Sequence, residues 1–321
     1  MAWPRRTWQS AKVARDGGAD PSTGTGGRRR AGDPRLRCRL RGPLGNLAGV
    51  ATLVTFHAHP DDESIATGGT MAKAAAAGHR VVLVTATRGE HGEPVPGVLT
   101  DGEPLWQRRV DETHRSAEIL GVDRVEFLGY EDSGMMGEST NDNPACFWQA
   151  DVDEAGERLA AILRDVDADV LTIYDDHGNY GHPDHIQVHR VGRRAAELLG
   201  LEHVFQATMN RDAIVRALRE RGEFFDGLDE SERPQIDEDT DMGSPEAIIT
   251  HGVDVSGYVN AKRGSMKAHR SQIADSNFFL AMPDEAFAVA FGTEWFIAHG
   301  AGRSPDEPFG DDLFAGLEAT D

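Results

Sequence analysis

The feature that most constrains this chain is an alternation of two apolar patterns. Short runs of β-branched and aliphatic residues, too short for helices, are separated by longer segments with helical apolar spacing. Residues 51–57 (ATLVTFH), 80–87 (RVVLVTAT), 124–128, 168–174 and 203–207 read as strands. Between them, 64–77, 105–120, 151–166, 184–199 and 210–221 read as helices, with Gly78 and Gly121 as stops. Further on, 247–254 reads as a strand, 256–270 and 284–291 as helices, and 293–298 as a short strand. Strands joined by helical crossovers pair in parallel, and continuously apolar strands are covered on both faces. The predicted fold is therefore α/β and Rossmann-like, a mostly parallel sheet with helices on both faces.

Charge divides the chain. The 321 residues hold 33 Lys and Arg against 54 Asp and Glu, a net of −21. Residues 1–47 hold eleven Lys/Arg and three Asp, a net of +8, so the remainder carries −29. That basic segment is rich in Arg, Gly and Pro without apolar periodicity, and is expected to be disordered. It reads as a product of a start codon placed too far upstream, with Val50 beside the first strand, rather than as a transit peptide or an interaction tail. Residues 48–300 are expected to form one domain, with an acidic loop at 223–245 and a flexible tail at 301–321. The core of that loop, 223–241, has nine acids and one Arg, and its DEDTD run lacks EF-hand spacing, so it reads as a solvated loop.

Several classes are excluded. The acidic balance opposes nucleic-acid binding. No apolar stretch approaches the roughly 20 residues of a membrane helix, so a cytoplasmic protein without membrane partners is expected. Two cysteines, Cys38 and Cys146, rule out a disulfide scaffold. A homo-oligomer stays open.

The chemistry sits in two clusters. His59-Pro60-Asp61-Asp62-Glu63 follows the first strand, and Tyr180-Gly181-His182-Pro183-Asp184-His185 follows the fourth. In a sheet of order 3-2-1-4 those strands are neighbours at the switch point, where a crevice opens at their carboxyl ends. Imidazole and carboxylate together suit Zn²⁺, with Fe²⁺ sharing the same donors. His59, Asp62 and His185 are assigned as metal ligands and Asp61 as general base. His182, if protonated, would stabilise an oxyanion or protonate a leaving amine, Asp184 would orient His182, and Tyr180 would donate to the oxyanion. Taken singly, Asp61, Asp62 and Glu63 read as a helix's acidic first turn and Asp184 as a cap. Their pairing at two strand ends is what points to a site. His57 reads as structural, and His189 as a packing residue.

The paired motifs AHPDDE (58–63) and NYGHPDH (179–185) resemble the signature of the LmbE-like, or PIG-L, zinc deacetylases. The resemblance covers about 51–210 well and 245–298 more loosely. It implies a Rossmann-like fold and zinc-dependent removal of an acetyl group from an N-acetylated amino sugar, a small-molecule substrate. It also implies that Glu93, Arg109 and Asp132 bind the substrate's hydroxyls, with an ion pair from Arg109 to Glu112 or Glu93 as the alternative. Asn179 departs from the glycine usual in the mycothiol-type members. A mycothiol-conjugate-type amidase is the nearest alternative function. More remote are a mononuclear Fe(II) oxygenase, which two His and a carboxylate also suit, and a non-catalytic sugar- or metal-binding protein.

Overall fold

The computed structural model describes residues 49–220 and 242–317. The basic segment 1–47 and the acidic run 223–241 therefore lie outside the described residues. Strands β1 (Thr52–His57), β2 (Arg80–Thr85), β3 (Arg124–Phe127), β4 (Val170–Tyr174), β5 (Val204–Thr208), β6 (His251–Asp254) and β7 (Thr293–Ala298) build one sheet of order β3-β2-β1-β4-β5-β7-β6. The first five pair in parallel, as the alternation predicts. β7 departs from that pattern by running antiparallel to both β5 and β6. Apolar periodicity carries no strand direction, so this reversal had no sequence signal.

The helices are α1 (Asp62–Ala66), α2 (Gly68–Ala76), α3 (Leu105–Leu120), α4 (Val152–Asp165), α5 (Gly178–Gly181, one distorted turn), α6 (Pro183–Leu199), α7 (Arg211–Glu220), α8 (Val259–Ala268), α9 (Phe278–Ala281) and α10 (Asp284–Phe291). The single helix expected over 64–77 is two, broken at Thr67 (φ −136°, ψ 9°). The Thr67 hydroxyl lies 2.9 Å from His57 Nε2 instead of facing solvent. α4 starts where the Asp151 carboxylate accepts the amides of Asp153 and Glu154, and α3 and α6 end at Gly121 and Gly200, both left-handed.

Both sheet faces are covered. Thr55 and Phe56 are consecutive on β1 and so point to opposite faces. The Thr55 hydroxyl meets Met71 of α2, while Phe56 lies beside Gly192 of α6. β1 is buried at every residue, as a strand sandwiched between helices must be, whereas β3, at the sheet edge, is half-buried throughout. A smaller cluster of Met266, Ile273, Leu280 and Phe287 fastens α8 to α10.

The tail expected at 301–321 is instead packed as far as residue 317. Leu313 is buried, Phe314 stacks on His79 at 3.9 Å, and Gly310 exchanges backbone bonds with Thr250 and Gly252. Its high polar content hid the two apolar anchors.

α6 carries the second chemical cluster, and its distance from the sheet is set at Gly192. A Cβ there would stand 2.3 Å from Ile173 Cγ2 on β4. Gly192→Ala is expected to cost about 1–3 kcal/mol through overpacking, read as a lower urea midpoint with an unchanged m value.

Candidate functional site

β1 and β4 are hydrogen-bonded neighbours, so the segments leaving their carboxyl ends face each other. The chain leaving β1 turns sharply at Asp61 and starts α1 at Asp62. The chain leaving β4 makes the distorted α5 turn, with Asn179 at φ 63°, and starts α6 at Pro183. Asp175 holds that turn: it accepts the Asn179 amide at 2.6 Å and the Thr208 hydroxyl at 2.6 Å. The left-handed φ explains the departure at 179. Asn and Gly are the residues that adopt it most readily, so this change is conformational.

The three expected ligands converge on one oxygen. Asp62 Oδ2 lies 3.2 Å from His59 Nδ1 and 3.3 Å from His185 Nε2, and also accepts the His59 amide at 2.9 Å. The other nitrogen of His59, Nε2, faces Asp184 at 3.1 Å and Asp132 at 3.5 Å. The His182 ring stands 4.6 Å from His59 and 5.2 Å from His185. All six side chains are buried.

Their electrostatics show a surplus of negative charge. Burial opposes protonation of His59, yet Asp132, Asp184 and Asp62 hold its pKa well above the usual imidazole value. Burial would raise Asp62, but His185 and His59 pull it well below the carboxylate range. Such a set is what a divalent cation neutralises. The donor chemistry also fits: one carboxylate lies between two imidazoles, and the ring nitrogen of His59 facing away is held by further carboxylates, the outer support typical of metal-ligating histidines.

Asp61 stands beside this set in an unusual state. Its backbone sits at φ 98°, a region that L-residues rarely occupy. Its carboxyl is buried, and Oδ1 has no hydrogen-bond partner among the described residues. Arg109 Nη2 is 3.4 Å from that oxygen, at ion-pair distance only. Burial raises the Asp61 pKa, with Arg109 opposing.

Other expectations are corrected. The Asp184 carboxylate does not orient His182. It is held by the Ser133 amide and hydroxyl and faces His59, while the Asp184 backbone amide donates to His182 Nδ1 at 3.1 Å. Burial, then His59 and His185, push the His182 pKa well down, which disfavours the imidazolium form. Neutral, with Nδ1 accepting, the ring carries its proton on Nε2. Tyr180 reaches the cluster, its hydroxyl 3.4 Å from His185 Nε2, and burial among carboxylates keeps it protonated.

Of the residues expected to bind hydroxyls, Arg109 is buried and donates to Gly89 O at 2.9 Å and Pro60 O at 2.5 Å. Its ion pair is with Asp61, not Glu112 or Glu93. Asp132 is taken up by the protein, accepting from the amides of His91 and Gly134 and facing His59. Glu93 is solvent-exposed on the loop after β2 and makes none of these contacts.

Residues that the sequence did not single out complete the surroundings. Tyr174 stacks on His185 at 4.5 Å, and its hydroxyl meets His57 Nδ1 at 2.7 Å. No motif marks Tyr174; Ser133 lies in the Asp132-Ser133-Gly134-Met135 run that resembles the family's loop after its third strand, but nothing in that resemblance pointed to its bonds with Asp184. His57 and His189 are structural, as expected, with His189 Nδ1 on Tyr174 O at 3.0 Å.

With this geometry established, comparison with known proteins is decisive. The family model described as PIG-L, GlcNAc-PI de-N-acetylase, matches residues 54–196. A 1D-myo-inositol 2-acetamido-2-deoxy-alpha-D-glucopyranoside deacetylase of Thermobifida fusca is 40% identical over 289 residues, 82% of this chain and 98% of that protein. Its namesake in Salinispora arenicola is 40% identical over 280 residues, 83% of this chain and 91% of that protein. The chain belongs to the PIG-L family. A deacetylase from the biosynthesis pathway of teicoplanin shares the fold at TM-score 0.52 and 16% identity, covering 80% of this chain and 100% of the other. GalB, the 4-carboxy-2-hydroxymuconate hydratase of Pseudomonas putida KT2440, does so at TM-score 0.51 and 16% identity, with 81% and 100% covered. The fold they share is the mostly parallel α/β sheet described above. Among the described residues no helix is long and apolar enough to cross a membrane.

The buried site makes stability pH-dependent. Burial lowers the His57 pKa to about 4, against 6.5 in the unfolded chain. The unfolded state therefore takes up a proton below pH 6.5 that the folded state refuses until about pH 4. Stability falls as pH drops through that window, by up to about 3 kcal/mol from this group. Urea unfolding of metal-free protein at pH 7.5 and 4.5 is expected to show a drop that His57→Gln reduces. Equal drops in both proteins would remove His57 as its source.

Proposed function

We propose that this PIG-L family member is a metal-dependent hydrolase that removes the acetyl group from N-acetylglucosamine linked to inositol. Asp61 is the observation that carries the reading. Among the described residues its buried Oδ1 has no hydrogen-bond partner, and it stands next in sequence to Asp62, where the two imidazoles converge. A purely structural acid would not be left with a buried oxygen lacking a hydrogen bond. The inositol-linked sugar is supported by the names of the relatives at 40% identity, which cover nearly the whole described chain.

His59, Asp62 and His185 would hold the cation, read as Zn²⁺, with Fe²⁺ sharing the same donors. When bound, it supplies Lewis acidity worth several kcal/mol of transition-state charge stabilisation. Asp61 takes the proton of the attacking water and passes it to the amide nitrogen as the C–N bond breaks, so that the nitrogen leaves as the amine. Burial raises the Asp61 pKa, the direction a general base needs, while Arg109 favours its charged form. His182 presents Nε2–H, fixed because the Asp184 amide occupies Nδ1, and so orients the amide oxygen or the leaving nitrogen. Tyr180, held protonated, is a second donor to the developing oxyanion. Asp132 and Asp184 act behind His59 and fix its ring. Substrate hydroxyls then fall to exposed groups such as Glu93.

The test is amine release from a panel of N-acetylglucosaminides, including the inositol-linked sugar, N,N′-diacetylchitobiose and a thiol-conjugate amide. Release from the inositol-linked sugar that chelation abolishes and added Zn²⁺ or Fe²⁺ restores is expected. Preference for the thiol conjugate would move the chain to the amidase branch. Asp61→Asn is expected to lower kcat by about 10²–10⁴ with metal content retained. Unchanged turnover would take the base role from Asp61.

A further inference from the structure

Asp61 sits in a disfavoured backbone conformation, and something must hold it there. Its amide donates to Glu63 Oε2 at 2.9 Å, and its carbonyl accepts the amide and hydroxyl of Ser64. Glu63 is fully buried, and its other oxygen accepts two bonds from distant elements. The Ser116 hydroxyl of α3 and His269 Nε2 both reach Oε1 at 2.6 Å. His269 lies 206 residues from Glu63, at the end of α8, and is itself fully buried.

Two residues on, the same turn holds α3. Glu112 of α3 accepts the Ser271 amide at 3.0 Å and the Ser271 hydroxyl at 2.6 Å. One helical turn before Glu112, α3 carries Arg109, the ion-pair partner of Asp61. Ser271 O also accepts the Val95 amide at 2.8 Å, which fixes the loop whose Gly89 carbonyl holds Arg109.

We propose that the turn His269–Ser271 is a positioning element for Asp61, setting its backbone through Glu63 and its guanidinium partner through Glu112. The physical reason is that a buried carboxylate keeps one orientation only while its donors are present. Without the His269 donor, Glu63 loses its anchor, the Asp61 amide loses its acceptor, and the positive-φ well is no longer favoured. A segment near the far end of the chain thereby becomes part of the active-site geometry without touching substrate.

The test compares His269→Gln, whose amide nitrogen reaches the position of Nε2, with His269→Asn, whose amide is too short to reach. Its kinetic arm rests on the deacetylase reading; its crystallographic arm does not. His269→Asn is expected to lower kcat by about 100-fold with KM and metal affinity nearly unchanged, as for a misplaced catalytic group. His269→Gln should recover most of that loss. In crystal structures, Asp61 should leave positive φ in the Asn variant and keep it in the Gln variant. Wild-type kcat in the Asn variant, a loss that follows metal affinity or folded fraction, or Asp61 still at positive φ would each overturn the proposal. Should His269→Asn not fold, Ser116→Ala removes the other donor to the same oxygen and carries the same expectations. A wild-type protein silent on the substrate panel would count against the functional reading alone, and the Asp61 backbone would still decide this one.

Discussion

The site depends on one carboxylate oxygen. Asp62 Oδ2 brings His59 and His185 to a common point, although the two histidines come from opposite sides of the crevice and are 126 positions apart. That meeting requires β1 and β4 to be adjacent, which in turn requires the crossovers to diverge at that boundary. It also requires α6 to lie close on the sheet, which Gly192 permits. Topology, helix packing and ligand geometry are thus successive conditions for the same contact.

The surrounding groups divide into those that hold the ligands and those that stay unsatisfied. Asp184, anchored by Ser133, and Asp132 stand behind His59, while Tyr174 stacks on His185. Asp61 is not among these supports. It keeps a strained backbone, a class of feature that costs of order 1–3 kcal/mol, and an oxygen without a hydrogen bond. Arg109 approaches closely enough to favour the charged form but is committed by hydrogen bonds to two backbone carbonyls. The arrangement sets a nearby positive charge against the burial of Asp61 without saturating its carboxylate.

Much of this was legible in the sequence, and the parts that were not share a cause. Strand and helix positions follow from apolar periodicity, and the clustered His and Asp side chains from two motifs at strand ends. What periodicity cannot encode is direction, hence the antiparallel β7. Nor does it foresee a chain break whose hydroxyl serves a buried histidine, as at Thr67. In the site, residue types were readable but partners were not. Asp184 was expected on His182 because they are neighbours in sequence, yet the start of α6 turns its carboxylate toward His59 and leaves only its amide for His182. Arg109 was expected on the substrate's hydroxyls, or on Glu112 or Glu93, but Glu112 is occupied by Ser271 and Arg109 pairs with Asp61. Such choices depend on side chains brought together from the far end of the chain.

The same charges bear on which molecules the site admits. Asp61, Asp62, Asp132 and Asp184 are all buried in one pocket of a chain with net charge −21. A cation at the ligands offsets part of that surplus, and Arg109 another part. An anionic substrate would meet repulsion at long range from the surface and at short range from Asp132 and Asp184. A neutral N-acetylated sugar meets neither. Hydrolysis of its amide yields a carboxylate and an amine, which becomes a cation on protonation. The field that is indifferent to the substrate then acts on the products, expelling the acetate and favouring protonation of the amine. On the proposed reading, the acidic surroundings that hold the metal also drive the reaction's products apart.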